Sequence, residues 1–208
     1  MIKYENFIID LGGVLYKIDE SNAVNAFKVL SQLTEQEFFA KMETVEFKNI
    51  IADYEKGTSS TKQFYDLMTE IFEMKCTMED FKRAWNSTLY YFFDDAIENI
   101  KMLKAKGNVV LLSNTNELHY ERFEPESRDI LPLFDAYFFS FQIGMRKPDY
   151  EIFRYVLEKM KFDINKTIFI DDSHVNIESA RRLGLNVFHV KKEGLSEFIK
   201  YLNDFSKE

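Results

Sequence analysis

The chain has 208 residues, is 46% hydrophobic and 30% charged, and carries a formal net charge of -8. That is enough for one soluble domain, or one domain with an inserted subdomain. The acidic balance argues against a nucleic-acid surface, although a lysine and a metal can invert the field inside a cleft. The single cysteine, Cys76, allows neither an intrachain disulfide nor a metal-thiolate cluster. No apolar run approaches a membrane span, and the N-terminus lacks the basic-then-apolar pattern of a signal peptide. The expected location is cytoplasmic, with neither nucleic acid nor membrane as partner.

In chain order, the first element is a buried strand at Phe7-Ile8-Ile9, closed by Asp10 and the pair Gly12-Gly13. An aspartate at the carboxyl end of such a strand sits where open parallel sheets bind ligands, and the glycines allow a tight turn and close approach of backbone to a ligand. Alone, this is also the composition of an ordinary turn. From about Glu20 to Phe93 the spacing predicts roughly four helices and no central strand. Thr34 with Glu37 reads as a capping box, Ser60 and Thr77 as further helix starts, and Glu55-Lys56-Gly57 as a break. Trp85 falls at helical spacing from Phe81 and Leu89, which favours packing. Tyr90-Tyr91-Phe92-Phe93 reads as a hinge held by packing.

Past Asp94 the rhythm changes to strand and helix in alternation. A helix running towards Gly107 precedes a strand at Val109–Leu112 that ends at Ser113. Further strands are predicted at 136–139, at 167–170 ending in Asp171-Asp172, and at 187–190, with helices between and after them. Such alternation predicts an α/β fold, a doubly wound parallel sheet of Rossmann-like form. The helical block then becomes an inserted cap over the first strand's end, with residues 1–19 and 94–208 as the core and 20–93 as the cap. A block in that position is well placed to act as a lid.

One sheet edge then gathers Asp10, Ser113-Asn114, Asp171-Asp172 and the loop carrying Lys147. Carboxylates without histidine or cysteine suit a hard cation such as Mg2+. A hydroxyl, backbone amides and a lysine suit phosphate oxygens. Aspartate is a competent nucleophile toward phosphorus.

The segments IIDLGGVLY, VVLLSNTN, GMRKPD and IFIDDSHVNI, in that order across nearly the whole chain, resemble the motifs of the haloacid dehalogenase superfamily. The match is to the subgroup with a helical cap after the first strand. It looks closest to bacterial phosphatases of sugar phosphates such as glucose 1-phosphate. The resemblance implies Asp10 as nucleophile. It implies Mg2+ held by Asp10, the Gly12 carbonyl and Asp172, with Asp171 or Asn176 behind them. Ser113 and Asn114 would bind the phosphoryl group, and Lys147 would neutralise it and orient Asp10. Cap positions such as Trp85, Asn86 and the Glu55-Lys56-Gly57 turn are candidate contacts to a small-molecule phosphate ester, and the protein is expected as a monomer or weak dimer.

The pattern is broken at Gly12, where most phosphatases of the superfamily carry the aspartate that serves as general acid and base. His119 and His174 are candidate replacements, although each reads first as exposed or structural, and His189 reads as structural. Two other readings are a phosphate-recognising protein without catalysis and a carbon–halogen hydrolase.

Overall fold

The computed structural model describes residues 4–205, with the side chain of Phe205 left aside. Five parallel strands form the central sheet: β1 (Asn6–Ile9), β4 (Asn108–Ser113), β5 (Ala136–Phe139), β6 (Thr167–Asp171) and β7 (Asn186–His189). Their spatial order is β5-β4-β1-β6-β7. β1 is central, and the registers Ile9↔Leu111 and Ile9↔Ile170 bring the carboxyl ends of β4, β1 and β6 level. The chain winds outwards from β1 through β4 and β5, then returns to β6 and β7 on the other side. This is the reversal of strand order at which doubly wound sheets form their ligand crevice.

Side chains alternate across the sheet. Phe7, Ile9, Leu111 and Ile170 pack on one face against α6 (Ala96–Lys104) and α11 (Leu195–Phe205). Ile8, Val110, Leu112 and Phe169 pack on the other against α9 (Tyr150–Met160) and α10 (His174–Leu183). With both faces covered, the strands read as continuous apolar runs, which is why the sequence exposes them.

Two features depart from the sequence reading. The stretch from Glu20 to Phe93 holds five helices rather than four: α1 (Glu20–Leu30), α2 (Glu35–Met42), α3 (Val45–Glu55), α4 (Thr61–Ile71) and α5 (Met78–Asn86). Thr44 caps α3 with its hydroxyl on the Phe47 amide and splits what the apolar spacing joins. The tyrosine-rich run is a strand, β3 (Leu89–Phe92), paired antiparallel with β2 (Tyr16–Ile18). Both are short and half exposed, so neither carries a buried-strand pattern. The capping box at Thr34 forms as expected, and Ser60 and Thr77 start their helices as expected, each with a capping box of its own. Gly107 does not cap α6, which ends at Lys104; it lies instead against the Glu5 carbonyl, where a Cβ would come within 2.1 Å.

The five helices bury their own cluster, including Phe27, Phe38, Tyr54, Phe64, Phe72 and Phe81, and the cluster extends to Leu118 on α7 (Glu117–Phe123). α8 (Ser140–Ile143) follows β5 directly and carries the chain towards the loop at Lys147.

Candidate active site

Asp10 follows β1, and its Oδ1 accepts from the Leu11 amide at 2.7 Å. The same oxygen lies 2.7 Å from Lys147 Nζ, which also lies 2.7 Å from Asp171 Oδ2 and donates to the Leu112 carbonyl at 2.9 Å. Lys147 is only 1% exposed. An ammonium so deep persists because three oxygens surround it; burial works against its charge, yet Asp10 and Asp171 carry the balance and raise its pKa. Its backbone is fixed as well: Asn114 Nδ2 donates to the Lys147 carbonyl and the Lys147 amide donates to Asn114 Oδ1, both at 2.8 Å. The β4 and Lys147 loops are thereby locked together.

The paired aspartates differ in their commitments. Asp171 is buried and accepts from the Ser173 amide at 2.7 Å, from Asn176 Nδ2 at 3.1 Å and from Lys147. Asp172 is half buried and rests against Gly13, whose φ of +68° would strain any other residue and whose Cβ would lie 2.0 Å from Asp172 Oδ2. Gly13 is thus required twice, by its backbone and by its neighbour. One carboxylate oxygen from each of Asp10, Asp171 and Asp172 lies within 4.8 Å of the others. Burial raises the pKa of Asp10 against the pull of Lys147, with Asp171 and Asp172 adding to the rise. Asp172 is pushed up to about 6, again by burial first and then by Asp171. Three carboxylates on one lysine are an excess of negative charge, and an all-oxygen set of this kind fits a hard divalent cation.

Ser113 ends β4 beside this cluster, almost fully buried, with its hydroxyl making only a 3.4 Å contact to the Asn114 carbonyl. Gly12, Ser113 and Asn114 open into a cavity of about 330 Å³ that extends between the sheet edge and the inserted helices. Trp85 lines it, its Nε1 donating to Asn116 Oδ1 at 3.2 Å and its ring stacked on His119 at 4.9 Å. Trp85 is therefore wall and core at once. Asn86, another cap candidate, is not part of the lining; its Oδ1 is buried with no hydrogen-bond partner among the described residues.

His119 lines the cavity, and burial pushes its pKa down to about 4. Its ring is neutral at pH 7, a poor proton donor. His174 is exposed at the start of α10, with its ring 5.8 Å from that of His189, and it lies outside the cavity wall. His189 is held by a ring nitrogen 2.9 Å from the Asp172 carbonyl oxygen.

The sequence reading missed Glu20 but singled out Glu55, with Lys56-Gly57, as substrate-facing; both glutamates line the cavity. Glu55 closes α3 and lies 2.7 Å from Arg146, the residue before Lys147; burial raises its pKa despite Arg146. The break after Glu55 marks that turn as a candidate, and the contact with Arg146 fixes which way the Glu55 side chain points. Gly12 also shows its neighbour: a Cβ there would meet Ile18 Cδ1 at 3.0 Å. An apolar side chain fills the place where the superfamily's second aspartate would extend.

The family model of haloacid dehalogenase-like hydrolases matches residues 4–184. The chain belongs to this family. Among relatives of this haloacid dehalogenase-like hydrolase is the D-ribitol-5-phosphate phosphatase of Bacteroides thetaiotaomicron, 29% identical over 90% of this chain and 91% of its own length. A solved haloacid dehalogenase-family enzyme from the same organism, in complex with magnesium and inorganic phosphate, superposes with a TM-score of 0.75 at 30% identity, covering 89% of this chain and 93% of its own. A haloacid dehalogenase-like hydrolase from Porphyromonas gingivalis superposes at 0.81 with 25% identity over 99% of both chains. The hydrolase has no helix among its described residues that is long and apolar enough to cross a membrane.

Proposed function

We propose that this protein is a Mg2+-dependent phosphatase acting on small phosphate monoesters through an aspartyl-phosphate. The observation that carries the reading is Asp10 at the end of the central strand, fixed by Lys147 and grouped with Asp171 and Asp172. Asp10 Oδ1 is bound by the Leu11 amide and Lys147, which leaves its second oxygen to attack phosphorus. Ser113 and the Asn114 backbone would hold the non-bridging oxygens. Asp10, Asp172 and the Gly12 carbonyl would hold the cation, with Asp171 and Asn176 positioning them. Bound there, Mg2+ would neutralise the approach of an anionic ester to a carboxylate. The magnesium and phosphate found in the Bacteroides structure support the same assignment.

Residues 20–93 would act as a cap that encloses the ester and excludes water. They meet the rest of the chain through the β2–β3 ribbon and through side-chain contacts that include Trp85 at Asn116, Thr61 donating to Glu117, Tyr54 accepting from the Leu118 amide, and Glu55 and Lys56 paired with Arg146 and Asp149. The finer reading of the motifs is a sugar phosphate such as glucose 1-phosphate; the name of the Bacteroides relative, a D-ribitol-5-phosphate phosphatase, supports a phosphorylated carbohydrate or polyol, whereas the apolar lining of the cavity weighs against a polyol.

The test is phosphate release from p-nitrophenyl phosphate by the purified protein. Release is expected with Mg2+, and loss of it with chelator and in Asp10→Asn. A protein that binds phosphate with Mg2+ yet releases none from any ester would be a recognition protein and would overturn the reading.

A further inference from the structure

The cavity beside Gly12 and Ser113 takes its character from two helices. On α1 the residues Glu20, Ala23, Val24 and Phe27 share one face at helical spacing; on α3 Phe47, Ile51 and Glu55 do the same. Both stripes line the cavity and each ends in its glutamate, close enough to the carboxylate cluster for Glu20 to raise the pKa of Asp172 and of Glu55. Away from those glutamates the walls are uncharged, and Phe38, Met42, Met68 and Phe72 belong to them. Ile18, lying over Gly12, continues the apolar wall to the threshold of the site.

Apart from Glu20, Glu55, Ser113 and Thr115, the polar side chains that line the cavity are already engaged. Tyr16 donates to Glu126 at 2.8 Å, Thr88 donates to the Asp19 carbonyl at 3.1 Å, and Trp85 donates to Asn116. His119 faces Asn116 Nδ2 at 3.2 Å through one ring nitrogen and the Trp85 carbonyl at 3.4 Å through the other. A polyol reaching past those groups, along Val24, Phe27, Phe47 and Ile51, would leave water with hydroxyls unmatched, and each unmatched buried hydroxyl is costly. A hydrocarbon loses nothing on entry and gains from burial.

From this lining we infer that the organic part of the substrate is a hydrocarbon chain or ring system seated between α1 and α3, with its phosphate at Asp10 and Ser113. The inference rests on the phosphatase reading of the site. A volume of about 330 Å³, at roughly 30 Å³ for each water-sized group, holds a tail of about eight to ten carbons. The class is apolar phosphate monoesters, in place of sugar phosphates.

The probe is a series of n-alkylphosphonates from two to twelve carbons. They cannot be hydrolysed, so leaving-group acidity does not enter. With Mg2+ present, their inhibition of p-nitrophenyl phosphate hydrolysis is expected to tighten roughly three- to fourfold per methylene. It should level off near eight to ten carbons. Ribitol 5-phosphate should inhibit at least tenfold more weakly than octylphosphonate. Val24→Trp and Ile51→Trp narrow the cavity from opposite walls, and in whichever of them folds the octyl-to-ethyl affinity ratio should fall at least tenfold. A flat chain-length series, a ribitol phosphate as tight as octylphosphonate, or an unchanged ratio in a folded variant would overturn the inference. The same series titrated calorimetrically reads binding even if p-nitrophenyl phosphate is not hydrolysed, so failure of the phosphatase reading is seen separately from failure of the substrate class.

Discussion

Lys147 Nζ stands 2.7 Å from Asp10 and 2.7 Å from Asp171, and no other lysine of the described chain is so deeply buried. Its removal leaves buried carboxylates facing each other without a counter-charge. Breaking a buried pair by taking one partner away costs about 3–5 kcal/mol. Lys147→Met is therefore expected to lower stability by that order and to abolish turnover. Denaturant titration of the two proteins measures the first, and a variant as stable as the parent would show that the cluster is neutralised by something other than Lys147.

Asp171 and Asp172 are neighbours with opposite commitments. Asp171 is engaged by Lys147, Asn176 and the Ser173 amide, whereas Asp172 is half exposed and rests on Gly13. Asp171→Asn should lose stability, since it removes a buried charge-assisted bond worth about 1.5–3 kcal/mol. Asp172→Asn should keep its melting temperature and lose most of its Mg2+ affinity, read by calorimetry. Equal Mg2+ affinity in Asp172→Asn and the parent would remove Asp172 from the metal assignment.

Much of this arrangement was legible in the sequence, for a physical reason. A parallel sheet writes its strands as apolar runs, and its topology brings their carboxyl ends to one edge, so Asp10, Ser113 and Asp171 could be gathered without coordinates. The β2–β3 ribbon was hidden because three or four half-exposed residues carry no period. Glu55 was legible only as part of a candidate turn: its inward orientation depends on where α3 meets Arg146, across a contact 91 residues apart in sequence. The apolar cavity was the least legible feature. Val24, Phe47 and Ile51 carry the same helical spacing whether they pack on a neighbour or face an opening.

His119 gives the stability a pH dependence whose sign is fixed. Its pKa falls from the ordinary value of 6.5 to about 4 on burial in the fold, so the unfolded chain takes up a proton before the folded one does. The associated stability is fully present above about pH 6.5, is lost as the pH drops, and is gone below about 4. The slope is about 1.4 kcal/mol per pH unit, or about 2 kcal/mol between pH 6.5 and 5. His119→Gln should lack this component. Chemical denaturation of both proteins at pH 7.5 and 5 compares them, and parallel losses would show that the ring titrates normally.

Gly12 sets the chemistry of the leaving group. With no acid there and His119 neutral, the departing oxygen leaves without a strong proton donor, a form of help that typically contributes 10²–10⁴-fold. The rate of the parent protein should therefore rise steeply with leaving-group acidity, and aryl phosphates should outrun alkyl phosphates of similar size. Restoring the acid requires room as well as a carboxylate. The backbone at Gly12 is not in the left-handed region, so aspartate is conformationally allowed, but its Cβ would meet Ile18 Cδ1 at 3.0 Å. Gly12→Asp alone should gain little, because Ile18 crowds the new side chain. Gly12→Asp with Ile18→Ala should speed the poorest leaving groups by at least tenfold and flatten the dependence. The measurement is kcat/KM across aryl and alkyl phosphates for the three proteins. A parent slope as flat as that of the double variant would mean that a proton donor already stands at the leaving oxygen, and Glu55, with its raised pKa at the cavity wall, would be the first residue to replace.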